Sequence, residues 1–163
     1  MMHKPIEALC KTYLLVRDLE RAAAFYGRLG LEVANPDPEA GRAYFWVDPA
    51  RTQCLVLREA SESRPFAPRH VAFGVSLEHL RSATDWLAGR GAEPTGDWGK
   101  EPGEAIVHNW IPAASLSFRD PDGNHLELSA RLPGGPIPDD RYPPKERRPL
   151  YLSEWERLRR ATT

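Results

Sequence analysis

One order of hydrophobic periods occurs twice in this chain, and no other feature narrows its possible folds as much. From Ala8 to Val16 the residues alternate with the period of a strand, setting Lys11, Tyr13 and Leu15 on one side and Thr12, Leu14 and Val16 on the other. Asp18 has the chemistry of a helix N-cap, and Leu19, Ala22, Tyr26 and Leu29 follow as an apolar stripe at helical spacing. Gly30 suits the helix end, Leu31-Glu32-Val33 restarts extended chain, and Ala43 to Val47 and Gln53 to Leu57 read as two strands joined around Asp48-Pro49. At His70 the order begins again. Val71, Phe73 and Val75 oppose His70, Ala72 and Gly74; a helix carries Leu80, Ala83 and Leu87; Ser115 to Arg119 and His125 to Ser129 are strands around Asp120-Pro121. The second copy is longer mainly between Trp98 and Pro112.

Each copy therefore reads strand, helix, then three strands. The expectation is an α+β fold of two tandem βαβββ modules, the first over about residues 6–60 and the second over about 68–131, in one paired domain spanning 1–131. A short helix covers only one face of its sheet, so the two sheets are expected to form a concave mixed sheet around a central cleft. Once Leu126 and Leu128 pack against the helix, period two turns His125, Glu127 and Ser129 to the opposite face, with Lys11, Tyr13, His70 and Ala72 on the matching faces of their strands.

Beyond Leu132 the pattern stops. Of the sixteen prolines, Pro133, Pro136, Pro138, Pro143, Pro144 and Pro149 fall in one stretch, which excludes a regular helix or a central strand there. Residues 132–163 thus read as a Pro-rich tail. It closes on Ser153 and Glu156, a capping-box pattern opening a short helix whose Trp155 and Leu158 dock on the body or on a partner subunit. The nearby Lys145, Arg147, Arg148, Arg159 and Arg160 read as a solvated face. A net charge of −1 gives no reason to expect nucleic acid as a partner. No apolar run approaches the roughly 18 residues that span a bilayer, and the first ten residues hold no apolar signal core. Cys10 and Cys54, far apart and outside any CxxC pair, read as reduced strand residues. The expected location is the cytoplasm.

Three motifs carry a family resemblance. The stretch Phe118-Arg119-Asp120-Pro121-Asp122-Gly123-Asn124-His125-Leu126-Glu127-Leu128 resembles the terminal signature of the vicinal oxygen chelate superfamily, which comprises glyoxalases, bleomycin-resistance proteins and extradiol dioxygenases. Val16 to Tyr26, ending in Leu29-Gly30-Leu31-Glu32-Val33, is similar to its opening signature, and Arg69 to Phe73 to the start of its second module. The resemblance implies the paired fold, a small-molecule substrate or ligand, and a homodimer. It leaves the reaction open, because the superfamily hosts lyases, transferases, dioxygenases and metal-free drug binders.

The resemblance also implies a divalent metal (Ni, Mn, Zn or Fe(II)) held by histidine on a module's first strand and glutamate on its last. His70 and Glu127 fall on those positions. The first module departs from the pattern: counted from Asp18 and Asp48, its two ligand positions hold Lys11 and Leu55. A protonated lysine has no lone pair, and leucine cannot ligate. His125 is either a third donor or a polar residue after a turn; His108 is either a donor or a surface residue. Gln53 enters only if the register of the first module slips. Lys11 either pairs structurally with Glu127 or serves with it as a catalytic acid–base group. Asp122 and Gly123 read as turn architecture. Tyr13, Trp46, Trp98 and Trp110, with His125, are the candidate substrate-binding residues, each weighed against a place in the core, as is Phe118. The loop from Trp98 to Trp110 has the length of a lid, with Gly96, Gly99 and Gly103 as its hinges. Two functions remain: a metal-dependent lyase, transferase or dioxygenase with an incomplete ligand set, or a metal-free protein that binds a small molecule.

Overall fold

A computed structural model describes residues 7–138 and 149–161. Pro143, Pro144, Lys145, Arg147 and Arg148 lie outside the described residues. The chain divides into two compact units.

The first unit is a four-stranded sheet in the order β1-β4-β3-β2, formed by β1 (Lys11–Val16), β2 (Glu32–Asp37), β3 (Arg42–Trp46) and β4 (Cys54–Glu59). Helix α1 (Leu19–Arg28) covers one face. Asp18 caps it as expected, its carboxylate accepting from the Arg21 amide, and Gly30 follows at φ 91°, a conformation that favours glycine. Leu14, Val16, Phe45, Leu55 and Leu57 are fully buried with Ala22 and Tyr26 of the helix. The turn Asp120–Asn124 also belongs to this unit. Asp120 accepts from the Tyr26 hydroxyl at 3.0 Å, from the Asp122 and Asn124 amides at 2.9 and 2.8 Å, and from Asn124 Nδ2 at 2.7 Å. Burial first, and then the Asp120 carboxylate, hold the Tyr26 hydroxyl far above its usual range, so it stays a donor. Asp122, its side chain wholly buried, takes Arg21 at 2.6 Å. The Asp-Pro-Asp-Gly segment is structural, as its turn chemistry suggests.

In the second unit the order is β5-β8-β7-β6-β9, with β5 (His70–Gly74), β6 (Ile106–His108), β7 (Ala113–Arg119), β8 (His125–Arg131) and β9 (Leu150–Tyr151). Strand β6 takes the place beside β7 that β2 takes beside β3 in the first sheet, with β9 paired beyond it. The expected single helix is two, α2 (Leu77–Arg81) and α3 (Ala83–Ala88), parted at Ser82. The Ser82 hydroxyl donates to the His79 carbonyl at 3.2 Å, one of the local bonds by which serine competes with a continuing helix. Leu80, Leu87, Leu116, Phe118, Leu126 and Leu128 are buried with Val107. Phe118 is thus core and no part of a binding face.

The tail joins the second unit. Leu150 and Tyr151 pair antiparallel with Val107 and Ile106, and α4 (Leu152–Arg160) buries Leu152 and Trp155. The helix start differs from the expected capping box. Glu154, not Glu156, reaches back, accepting from the Tyr151 amide at 2.8 Å, and Glu156 takes Arg81 at 2.6 Å. The box slides because β9 pairing commits Tyr151 to extended chain and makes it the cap residue. No described helix is long and apolar enough to cross a membrane.

Candidate functional site

Strand pairing decides which side chains share a face. In the second unit His70 registers with His125, and Ala72 with Glu127, which registers in turn with Ser117. Leu126 and Leu128 point to the helices, so His70, His125, Glu127, Ser117 and Ser115 occupy the other face, as period two requires. His70 Nε2 donates to Glu127 Oε2 at 2.9 Å; His70 is half exposed and Glu127 almost buried. The His125 ring stacks on His70 with centroids 4.1 Å apart.

Asp97, which the sequence did not single out, completes this group. Its Oδ2 accepts from the Ser117 hydroxyl at 3.1 Å and lies 3.7 Å from His125 Nε2, while Oδ1 accepts from the Trp98 amide at 2.9 Å. Asp97 hid in the sequence because it stands just before the insertion, where the two copies cease to match. Its local signal was the Asp-Trp-Gly turn. Asp97 and Lys100 bridge across it, with Trp98 at φ 52° and Gly99 at φ 75°. Positive φ at both central positions defines a tight hairpin that asparagine and glycine favour, so tryptophan sits there under strain. The loop glycines set its shape. A Cβ on Gly96 would meet the Lys100 carbonyl oxygen at 2.6 Å, and Gly103 stands at φ 124°.

The strained turn presents Trp98 beside His108 and Trp110, with ring centroids 5.9 Å from Trp98 to His108, 5.1 Å from His108 to Trp110 and 6.1 Å between the tryptophans, all edge-to-face. Both indoles are about half exposed. His108 lies close enough to feel Glu127, Asp97 and His70. Burial is the main cause that lowers its pKa, and burial also leads the lowering at His125. Both rings are largely neutral at pH 7, each with one donor and one acceptor nitrogen. His108 Nδ1 and His125 Nε2 are buried without a hydrogen-bond partner among the described residues. Thus His108 and His125 line the face, whereas Ile111 beside Trp110 is 58% exposed.

In the first unit Lys11 and Tyr13 share the helix-free face, as anticipated, and the register adds Trp46 to it. Lys11 is exposed with its ammonium 5.7 Å from the Tyr13 ring centre, Tyr13 is 46% exposed, and Trp46 is half-buried. Leu55 is corrected: it is fully buried on the helix side. Lys11 registers with Cys54 and Tyr13 with Val56, as His70 does with His125 and Ala72 with Glu127. Val56 therefore holds the place corresponding to Glu127, and Cys54, not Gln53, the place corresponding to His125. The turn causes the shift. Asp48 caps the Thr52 and Gln53 amides around Arg51 at φ 56°, and this turn is one residue longer than Asp120–Asn124.

Such a donor set does not fit the family's divalent metal. His70 and Glu127 are a matched pair, but the corresponding positions of the first unit hold an amine and a hydrocarbon. Among the described residues no group of three or more His, Cys, Asp or Glu side chains is arranged to hold a metal ion.

Two sheets built on one repeated strand–helix–strands plan, each with polar groups on its helix-free face, define a paired βαβββ protein. The model of the Glyoxalase/Bleomycin resistance protein/Dioxygenase superfamily matches residues 8–128, and the chain belongs to that family. An integron cassette protein from the mobile metagenome of a Halifax Harbour sewage outfall is 28% identical, with a TM-score of 0.64 over 77% of this chain and 99% of that one. A glyoxalase/bleomycin resistance protein/dioxygenase from Nocardioides is 24% identical (TM-score 0.59, covering 84% of this chain and 91% of its own). Lactoylglutathione lyase from Agrobacterium tumefaciens is 23% identical (TM-score 0.61, 78% and 96%). At these identities the last two share the fold. No curated protein matches the chain.

Proposed function

We propose that this chain binds a small, flat, partly aromatic molecule without a resident metal, using the second unit's helix-free face. The observation that carries the reading is the edge-to-face group of Trp98, His108 and Trp110 beside the His70–Glu127 bond. The half-exposed indoles supply apolar area at little entropic cost. His108 and His125, largely neutral and on the same face, supply polar ring edges that fix orientation. His70 and Glu127 are also spaced for proton transfer to or from a bound hydroxyl or carbonyl, so catalysis without metal is compatible with the site. Membership of a family whose chains often pair supports a homodimer; a cytoplasmic location rests on the sequence alone.

The turn strain makes the test specific. Trp98→Asn is expected to stabilise the unliganded chain by about 1 kcal/mol, because asparagine tolerates φ of 52° better, while weakening ligand. Thermal shift and fluorescence titration with 1-naphthol, quinoline and indole should show binding that EDTA leaves unchanged and that Trp98→Asn weakens at least tenfold. Stoichiometric metal in protein purified without chelator, lost in Glu127→Ala, would replace this reading with the metal-dependent lyase, transferase or dioxygenase one.

A further inference from the structure

The turn that offers Trp98 is held in part by chain lying beyond the family match, which ends at residue 128. Its first half is fixed within the body. The Lys100 amide closes the hairpin on the Asp97 carbonyl at 2.8 Å, and the Asp97 carboxylate anchors it to Ser117. The second half is fixed by the tail. Leu150 and Tyr151 add to the sheet beside β6, and the Leu152 amide donates to the Ala105 carbonyl at 2.8 Å. From that seat the tail reaches back along the loop. The Lys100 ammonium stands 4.4 Å from the centre of the Tyr151 ring and 3.5 Å from Glu154 Oε2, the oxygen that also accepts from the Tyr151 amide. The Tyr151 hydroxyl accepts from the Glu101 amide at 3.0 Å, and Glu104 accepts from the Ser153 amide at 2.6 Å. Between these two anchors Trp98 keeps φ at 52°, and a residue at such an angle stays there only when its surroundings fix it.

We infer, taking Trp98 as the ligand platform proposed above, that the tail is a strap and Tyr151 a positioning residue for that site. Tyr151 acts through the loop and not on the ligand. Its ring and hydroxyl hold Lys100 and Glu101, these keep the hairpin closed, and the closed hairpin keeps the Trp98 ring against His108 and Trp110. With the strap loosened, the hairpin relaxes out of its strained angle and Trp98 leaves the aromatic group. A platform fixed before the ligand arrives binds more tightly, because less ordering remains to oppose association.

Amide exchange followed by NMR, and titration with 1-naphthol, separate these steps in the full chain. Tyr151→Phe keeps the ring beneath Lys100 and the β9 pairing but removes the acceptor for the Glu101 amide. It should speed exchange of the Trp98 and Lys100 amides, both hydrogen-bonded inside the hairpin, and leave exchange along α4 unchanged. It should also weaken 1-naphthol about three- to tenfold, the worth of one hydrogen bond. Lys100→Met, which removes the cation and keeps the stem, should do the same. In a Trp98→Asn background Tyr151→Phe should change affinity no further, because both act on one contact. Glu156→Gln, which breaks the bond from α4 to Arg81, should leave affinity and loop exchange as they are. Unaltered exchange at Trp98 and Lys100 in Tyr151→Phe would overturn the inference. So would additive losses in the double variant, or a Glu156→Gln chain weakened as much as Tyr151→Phe. If no probe binds the intact chain, the site reading above falls alone, and the exchange rates still decide whether the strap holds the turn.

Discussion

Replacing Asp120 by alanine is expected to lower the unfolding free energy by about 3–5 kcal/mol, a large share of what a domain of this size possesses. The carboxylate is buried and serves four donors: the Tyr26 hydroxyl, the Asp122 and Asn124 amides, and Asn124 Nδ2. Alanine leaves all four without their acceptor, and unsatisfied buried donors each cost about 1–3 kcal/mol before relaxation and water entry reduce the sum. Asp120→Asn should be intermediate, since its amide accepts on one side only and sets a donor against a donor on the other. Tyr26→Phe removes a single hydroxyl and should cost about 1–2 kcal/mol. Urea denaturation of the three variants measures the series. An Asp120→Ala loss below that of Tyr26→Phe would show that the network does not hold the turn.

Trp155→Ala should cost about 3–5 kcal/mol, the range for removing a buried aromatic ring. Trp155 is 3% exposed on a helix expected to dock on the body or on a partner subunit, and that helix packs on the second unit. Its indole nitrogen is buried with no hydrogen-bond partner among the described residues, so the ring is held by packing. Trp155→Phe therefore loses volume and also removes an unsatisfied donor, and should cost about 1.5 kcal/mol or less. Equilibrium denaturation with near-ultraviolet circular dichroism reads both variants. Equal losses for alanine and phenylalanine would point to a polar role for the indole nitrogen; no loss in either would mean that α4 adds nothing to the second unit.

Much of the architecture was legible in the residues because it depends on short-range chemistry. Alternation of period two placed His70, His125 and Glu127 on one face and Lys11, Tyr13 and Leu15 on another, and the register bears this out. Asp18 and Gly30 bounded α1 through a cap bond and a positive φ, both local properties. Asp-Pro-Asp-Gly announced a turn. The repeat made each element support the assignment of its twin.

Other features depended on partners far away in the chain. Counting from Asp48 pointed to Leu55, but a turn one residue longer exchanged it for Val56, and a one-residue slip reverses every face. Ser82 parts α2 from α3 where the apolar spacing alone ran on. Two residues, Leu150 and Tyr151, became a strand only because β6 offered an unpaired edge, and backbone hydrogen bonds accept almost any side chain. Asp97 met Ser117 and His125 just before an insertion whose path no periodicity describes. The sequence by itself therefore determined the doubled plan, the faces and the caps, which arise from bonds between near neighbours and from burial of one side of each element. Only the tertiary structure decided which polar groups meet, because those pairings follow from loop lengths and strand edges, whose geometry is settled when distant segments close on one another.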